Sequence, residues 1–565
     1  MESPLADRRI SDTHVLLESI NSTSNSTRSY GLPSQAQLSS LTLQSILLVC
    51  LSLLIAYQCF RYFTCELPPF GSRLKHLPGP RSTLPYLGRI HDVDRMEAWK
   101  SMHKFSKQYN ELFSCTLGGE THIWVAREDV AQDLLVKNAE LSSARADLGT
   151  YPGVTQGYKY LPLLGYTEHF HRQRKFAHAM MTRNVNNRYY GHIGLEMKRF
   201  MHEVAAQPSH FHHLTHLFCA RVSSRLAYGT AHRAVEHSTN AGVFISQLGP
   251  SGPLANLVPF LRHLPERLAP GQRGVRERQE REAKLWRDMF DLSRTSAQPD
   301  KIRQNYTGAS LSVKELGSDN KLLFANEQEA VCAVGMLCTV GIFTIGGPAI
   351  VFIVAMILHP EWQERVRAQI DQVVVGADEM VDLKHSPQLP MLRAAIKECV
   401  RWKSTVPLGV PRLLTANYTY DGYHFPKGAV VHVLDIAMSQ DPERYVDPST
   451  YNPGRWLDET SPNFKRPLTE HPRLKGHHIF GRGKRSCPGQ DFAESELLIF
   501  CGNLLRFFTL GPKMDEKGQP IWPNPDRWTT DVIGGPLPFD CNIKARDAAK
   551  LEMVQNMYED SKKHL

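Results

Sequence analysis

The chain has 565 residues, 42% of them hydrophobic and 22% charged, with a formal net charge of +9, a balance that suits a large buried core. The basic residues are spread out and form no helix-turn-helix, zinc-finger or RNA-binding signature, which excludes nucleic acid and leaves an anionic membrane surface or an acidic protein as the partner of the excess charge. The 11 cysteines are scattered without a Cys-x-x-Cys pair, which excludes a zinc site and a disulfide framework and points to a reducing cytosol.

Residues 1–38 are polar and carry two Asn-Ser-Thr sequons, at Asn21 and Asn25. Leu41 to Tyr57 is uncharged, and with its flanks it gives about 20 residues, enough to span a bilayer. Arg61, Arg73, Lys75, Arg81 and Arg89 follow it, against Arg8, Arg9 and Arg28 before it. The positive-inside bias therefore predicts a transmembrane anchor over 39–60, with 1–38 in the lumen, where Asn21 and Asn25 would be glycosylated, and the body in the cytosol. A cleaved signal peptide is the rival; the long polar prefix and the lack of a small-residue cleavage site argue against it. Leu77-Pro78-Gly79-Pro80 marks 61–90 as a stiff linker, leaving 91–565 as the main domain. The tail Lys562-Lys563-His564-Leu565 has the form of a dilysine retrieval signal, a pattern short enough to arise by chance.

Segment 265–320, rich in charge, Gly and Ser, reads as a helix with a flexible connection. Ala330 to Pro360 contains no Asp, Glu, Lys or Arg. It is long enough for a second membrane span; Gly335, Gly341, Gly346, Gly347 and Pro348 interrupt it and favour a helix through a protein core. Further on, Glu398 and Arg401 lie three apart in a helical pattern and share a face. Alone, such a pair is a solvated surface contact worth little. Tyr451-Asn452-Pro453-Gly454-Arg455-Trp456 follows.

The densest chemistry is Phe480-Gly481-Arg482-Gly483-Lys484-Arg485-Ser486-Cys487-Pro488-Gly489. Three glycines let a backbone press close to a flat surface. Pro488 suits the first turn of a helix, read over Asp491 to Phe500. A sulfur ahead of a helix N-terminus is favoured as thiolate. A buried inert cysteine in a glycine-rich turn is the bland alternative. Phe480, Gly483, Arg485, Cys487 and Gly489 fill every fixed position of Phe-x-x-Gly-x-Arg-x-Cys-x-Gly, and here the chain resembles the cytochrome P-450 monooxygenases, microsomal type. Ordered motifs carry the resemblance over residues 75–540, and their wording is similar to members from filamentous-fungal secondary metabolism.

The resemblance implies a mainly α fold with small β-sheets, the cytochrome P-450 fold, and haem b bound through a Cys487 thiolate. It assigns Phe480, Gly483 and Arg485 to the cofactor loop. It places Arg174, in a C-helix pattern where Phe170 replaces the usual tryptophan, and Arg412 against the haem propionates. Glu398, Arg401 and Arg455 become a structural trio that holds the cysteine loop. His359-Pro360-Glu361-Trp362-Gln363 is similar to the sequence after the family's long oxygen-binding helix, which aligns Val340-Gly341-Ile342-Phe343-Thr344-Ile345 with its groove. Gly341 and Thr344 match, giving room for dioxygen and a hydroxyl beside it; the usual acid is absent, and Phe343 stands in its place.

The implied reaction inserts one oxygen atom into a lipophilic small molecule, a terpenoid, polyketide or alkaloid intermediate, by hydroxylation or epoxidation. No Gly-x-Gly-x-x-Gly fingerprint occurs, so electrons come from NADPH–cytochrome P-450 reductase, with cytochrome b5 a further candidate donor, on the endoplasmic reticulum membrane. Arg482 and Lys484 offer a docking charge for such a partner, or ordinary solvated charges. The pocket regions offer Tyr151, Tyr158, Tyr160, Leu161, Leu163, Met336, Phe343, Val406, Leu408, Val532 and Ile533. Two rivals remain: a haem-thiolate isomerase or dehydratase without oxygen activation, motivated by the missing acid, and a non-catalytic multi-span membrane protein.

Overall fold

The computed structural model describes residues 35–65, 71–264, 272–296, 304–311, 323–376 and 378–565. Asn21 and Asn25 lie outside the described residues, as does much of segment 265–320. Chain contacts divide the protein into two units, Met1–Gln58 and Cys59–Leu565. Helix α1 (Gln35–Cys65) carries the apolar run Leu43–Tyr57, whose large side chains are at least half exposed.

The second unit is mostly helical. Its longer helices are α2 (Ala98–Gln108), α3 (Glu168–Asn186), α4 (His192–Ala206), α5 (Phe211–Tyr228), α6 (Ala234–Ser246), α7 (Gln272–Ser296), α8 (Glu327–Leu358), α9 (Pro360–Val373), α10 (Pro390–Trp402), α11 (Gln490–Phe507) and α12 (Ala548–Ser561). Among the described residues the strands form three small sheets. β1 (Leu112–Leu117), β2 (Glu120–Val125), β3 (Arg412–Leu413) and β6 (Val430–Val433) are ordered β1-β2-β6-β3. β4 (Tyr418–Tyr420) pairs with β5 (Tyr423–Phe425), and β7 (Phe508–Met514) lies between β8 (Pro520–Ile521) and β9 (Cys541–Ala545).

Helix α8 is the axis of the core. Asn326 starts it by accepting the Glu329 N–H at 2.9 Å, and the Glu329 carboxylate accepts the Ala325 N–H at 2.8 Å. Pro360 forces His359 out of the helical region and ends it. It is the one helix among the described residues long and apolar enough to cross a membrane, yet 83% of its most apolar window is buried inside the protein, against α5, α10 and α11. The core-helix reading of Ala330 to Pro360 stands and the second span does not.

Residues 75–90, read as linker, are part of this unit. Leu77 is buried, and the Pro78 and Thr116 carbonyls accept the Ser114 and Arg89 N–H groups, each at 2.8 Å. Gly79 is required there, since a Cβ would fall 1.9 Å from the Ser114 carbonyl oxygen.

Candidate functional site

The Cys487 segment folds as a closed loop. The Cys487 N–H donates to the Phe480 carbonyl at 2.7 Å, and the Gly489 N–H reaches the Cys487 sulfur at 3.3 Å. Gly481 and Gly483 take φ of +69° and +61°. A Cβ on Gly483 would lie 1.8 Å from the Leu135 carbonyl oxygen, so this glycine lets the loop seat on its neighbour. Pro488 falls outside the following helix, which begins at Gln490. Burial pushes the Cys487 thiol up, against the opposing effects of the Gly489 N–H and the Arg174 charge.

Four arginines converge beside this loop. Arg485 donates to the Ser143 and Leu164 carbonyls, both at 2.8 Å, and its guanidinium covers the Phe170 ring at 3.6 Å. Arg174 reaches the Ser486 carbonyl, and Arg412 donates to the Arg482 carbonyl at 2.7 Å. The fourth is Arg145, bound to the carbonyls of Pro162 at 3.0 Å and Val410 at 2.8 Å. The sequence reading missed it, because it sits in a loop with no motif around it. None of the four has a carboxylate partner within ion-pair distance among the described residues. Burial, then their mutual repulsion, lowers Arg485 to about 9; burial, then Arg482 and Arg174, lowers Arg412 to about 10. Arg145 is lowered by burial and by the other three. Arg174 Nε, Arg412 Nη1 and Arg485 Nη1 are buried without a hydrogen-bond partner. A cationic hole with orphaned donors, next to one thiol, fits a dianion carried on a metal cofactor. Haem, with two propionates and an iron, fits this donor set.

The structural trio assembles as the resemblance implies. Glu398 accepts Arg401 Nε at 3.0 Å and Nη2 at 2.8 Å, Arg455 Nε at 2.9 Å, Trp456 Nε1 at 2.9 Å and the Asn452 N–H at 3.1 Å. Glu398 and Arg401 are fully buried.

Between Glu329 and Ile357 of α8, only Val340, Phe343 and Thr344 are not buried. Their i, i+3, i+4 spacing makes one half-buried stripe along α8. The Thr344 hydroxyl donates to the Val340 carbonyl at 2.6 Å. Pro348 has no N–H for the Thr344 carbonyl, so the helical ladder lacks a rung at this residue. Gly341 lies off the stripe. A Cβ there would meet Ser223 Oγ at 2.9 Å and the Phe492 ring at 3.5 Å, so its smallness serves helix packing rather than room beside Thr344. The Phe343 ring packs on His216 of α5, with centroids 4.5 Å apart, and against Gly242 of α6. Burial, with the nearby His212 and His213, lowers His216 to about 3.

Three further groups of residues can be placed. Met336 is buried inside the protein, whereas Tyr151 and Tyr160, themselves largely buried, border an open cavity of about 350 Å³ that they share with Lys159 and with Gln272, Val275 and Gln279 of α7. Arg482 and Lys484 are engaged by Glu128 and Glu140. The core cysteines Cys332 and Cys338 are pushed up by burial to about 11 and about 12, as inert small hydrophobes should be.

A family model described as cytochrome P-450 matches residues 77–533. The chain is 26% identical over 506 residues to cytochrome P-450 monooxygenase virE of Hypocrea virens, covering 88% of this chain and 90% of that protein. It is 29% identical over 508 residues to monooxygenase 208 of Postia placenta (86% and 93%), and 28% over 501 residues to monooxygenase claR of Ampulloclitocybe clavipes (86% and 89%). A zebra fish cytochrome P-450 structure with abiraterone shares the fold, with a TM-score of 0.62 at 20% identity over 80% of this chain and all of that one. With its match over most of the chain, the protein belongs to the cytochrome P-450 family of haem-thiolate monooxygenases, and its cofactor is haem held by a cysteine thiolate.

Proposed function

We propose that Cys487 is the axial ligand and that Arg145, Arg174, Arg412 and Arg485 hold the two propionates, in an enzyme that hydroxylates or epoxidises a lipophilic intermediate of fungal secondary metabolism. The observation that carries this reading is the convergence on the Cys487 loop of four carboxylate-free guanidiniums, Arg412 buried and Arg145, Arg174 and Arg485 half-buried. Bound there, haem supplies dioxygen activation, which a thiolate ligand favours. The chain supplies the rest. The glycine loop positions the sulfur, and the trio around Glu398 holds the segments behind it. Thr344 holds a proton at Oγ1 on the stripe that faces the ligand. Val340, Phe343, Val532 and Ile533, all partly exposed and packed against one apolar core, give that space apolar walls and exclude bulk water. We assign electron supply to an NADPH-dependent reductase on the same membrane, with cytochrome b5 a further donor. The exposed apolar run of α1 and the basic residues after it support anchorage in the endoplasmic reticulum, with glycosylation at Asn21 and Asn25 on the lumenal side.

Phe343 packed on His216 favours a second reading, an isomerase or dehydratase that uses the haem without dioxygen. The test of the first is the reduced, carbon-monoxide-treated spectrum of the wild type against Cys487→Ala, followed by turnover with and without NADPH and dioxygen. The substitution is expected to abolish the thiolate-type Soret band. A persisting band overturns the ligand assignment, and product formed without either reagent establishes the second reading.

A further inference from the structure

The short helix Asp435–Ser439, which follows β6, meets segments that the sequence keeps far apart. Asp435 is buried, and its two carboxylate oxygens go to different partners. His478 Nδ1 lies 2.5 Å from Oδ1, while Ser404 Oγ donates to Oδ2 at 2.5 Å and Ser439 Oγ lies 3.4 Å from that same oxygen. Burial pushes the Asp435 carboxyl up, but His478, Ser404 and Arg482 outweigh it and hold the group below its ordinary value. The group is therefore a carboxylate, and the His478 Nδ1–H donates to it. His478 is buried as well, and its Nε2 has no hydrogen-bond partner among the described residues, so the bond to Asp435 orients the ring.

This bond stands between the Glu398 trio and the Cys487 loop. On one side Arg401 donates from Nη1 to the Ser439 carbonyl at 2.8 Å, at the far end of the same short helix. On the other side His478 begins the turn His478–Phe480. The His478 carbonyl accepts the Gly481 N–H at 2.9 Å, and the Phe480 carbonyl accepts the Cys487 N–H at 2.7 Å. Among the described residues, Glu398, Arg401 and Arg455 bond to one another and to residues 439–456, and not to residues 478–489. The trio therefore reaches the loop by hydrogen bonds through Asp435 and His478.

We propose that Asp435 and His478 are the positioning pair through which the Glu398 trio sets the Cys487 loop: the carboxylate fixes the His478 ring, the His478–Phe480 turn follows the ring, and the Phe480 carbonyl holds the Cys487 N–H and with it the sulfur. Ser404, on the other carboxylate oxygen, anchors Asp435 to the segment after α10 and takes no part in the link to the loop. This role rests on the Cys487 reading above.

The test uses the holoenzyme with Asp435→Asn, which keeps the shape and an acceptor oxygen, with His478→Gln, with the two combined, and with Ser404→Ala. Two quantities are read: the decay of the thiolate-type Soret band in the reduced, carbon-monoxide-treated protein, and amide hydrogen exchange by mass spectrometry. Asp435→Asn and His478→Gln are each expected to speed the decay by about 10–100-fold, as for loss of a charge-assisted hydrogen bond. The combined variant decays no faster than the worse single one, because both changes remove the same link. Exchange across 478–489 rises in all three while α5 keeps its protection. Ser404→Ala lowers the thermal midpoint and leaves the decay unchanged. Decay unchanged in Asp435→Asn, or single effects that multiply in the combined variant, overturns the pair. Decay that speeds equally in Ser404→Ala, or exchange that rises equally in α5, shows a general loosening and overturns the positioning role. Exchange across 478–489 is read without carbon monoxide, so its outcome is separate from the band that tests Cys487→Ala.

Discussion

Arg455 Nε lies 2.9 Å from Glu398 Oε1 although the two residues are 57 positions apart in the chain. Glu398 thereby neutralises two guanidiniums at once, the second being Arg401, and the cluster ties α10 to the segment that leads toward the cysteine loop. All three side chains are buried, so each depends on the others for its charge.

Glu398→Gln keeps the shape and removes the charge. Two buried guanidiniums are left without a counter-ion, at a cost of about 3–5 kcal/mol. The expected result is a protein that expresses poorly and carries little haem, checked by haem content per chain and by the thermal midpoint. Glu398→Asp, with a shortened reach, is expected to fall between the two.

Arg412→Met separates the apo and holo states. Without haem, Arg412 faces Arg174, Arg482 and other cations, so its removal relieves repulsion and raises the thermal midpoint of the apoprotein. With haem bound, the loss of a charge-assisted bond worth about 1.5–3 kcal/mol speeds haem loss by about tenfold to a hundredfold. Melting of both forms and haem transfer to an excess of apomyoglobin measure the two signs. A substitution that weakens both states alike contradicts the propionate role.

Phe343→Asp restores the family's acid and is expected not to restore its function. The ring fills space between α5, α6 and α8, and its loss costs about 3–5 kcal/mol. The new carboxylate meets the His216 imidazole rather than water, and raises the histidine from its value of about 3 toward a charged pair. The thermal midpoint falls, and product formed per NADPH consumed does not rise.

Lys397 supplies a pH test away from the site. Burial, then Lys465, lowers it to about 8 from an ordinary 10.5, and its ammonium sits 4.4 Å from the centre of the Trp456 ring. The folded state thus binds this proton less readily than the unfolded state. Its penalty is complete below about pH 8 and vanishes above about pH 10.5, so wild-type stability gains from this residue as pH rises through that window. Lys397→Met is expected to stabilise by about 1–3 kcal/mol at pH 7, less what the ring contact contributes. The advantage fades as the two proteins are melted at pH 9, 10 and 11.

Local order in the chain was enough for some conclusions. The glycines and cysteine of 480–489, the Glu398–Arg401 face and the uncharged run of α8 are short-range patterns, and backbone permissiveness and helical period act over a few residues. They named the family, the candidate metal ligand and the core helix. What they could not convey is which side chains meet across long loops. Arg145 joins three other arginines through contacts with segments 17 to 266 residues away. Gly341 turned toward α5 and α11, and not toward the groove, because helix rotation is set by packing on every side. Tyr151 and Tyr160 read as pocket walls in one dimension; the tertiary structure adds that their hydroxyls are held by Arg278 of α7, 118 residues after Tyr160, since a buried charge takes whatever donors and acceptors the fold brings within reach.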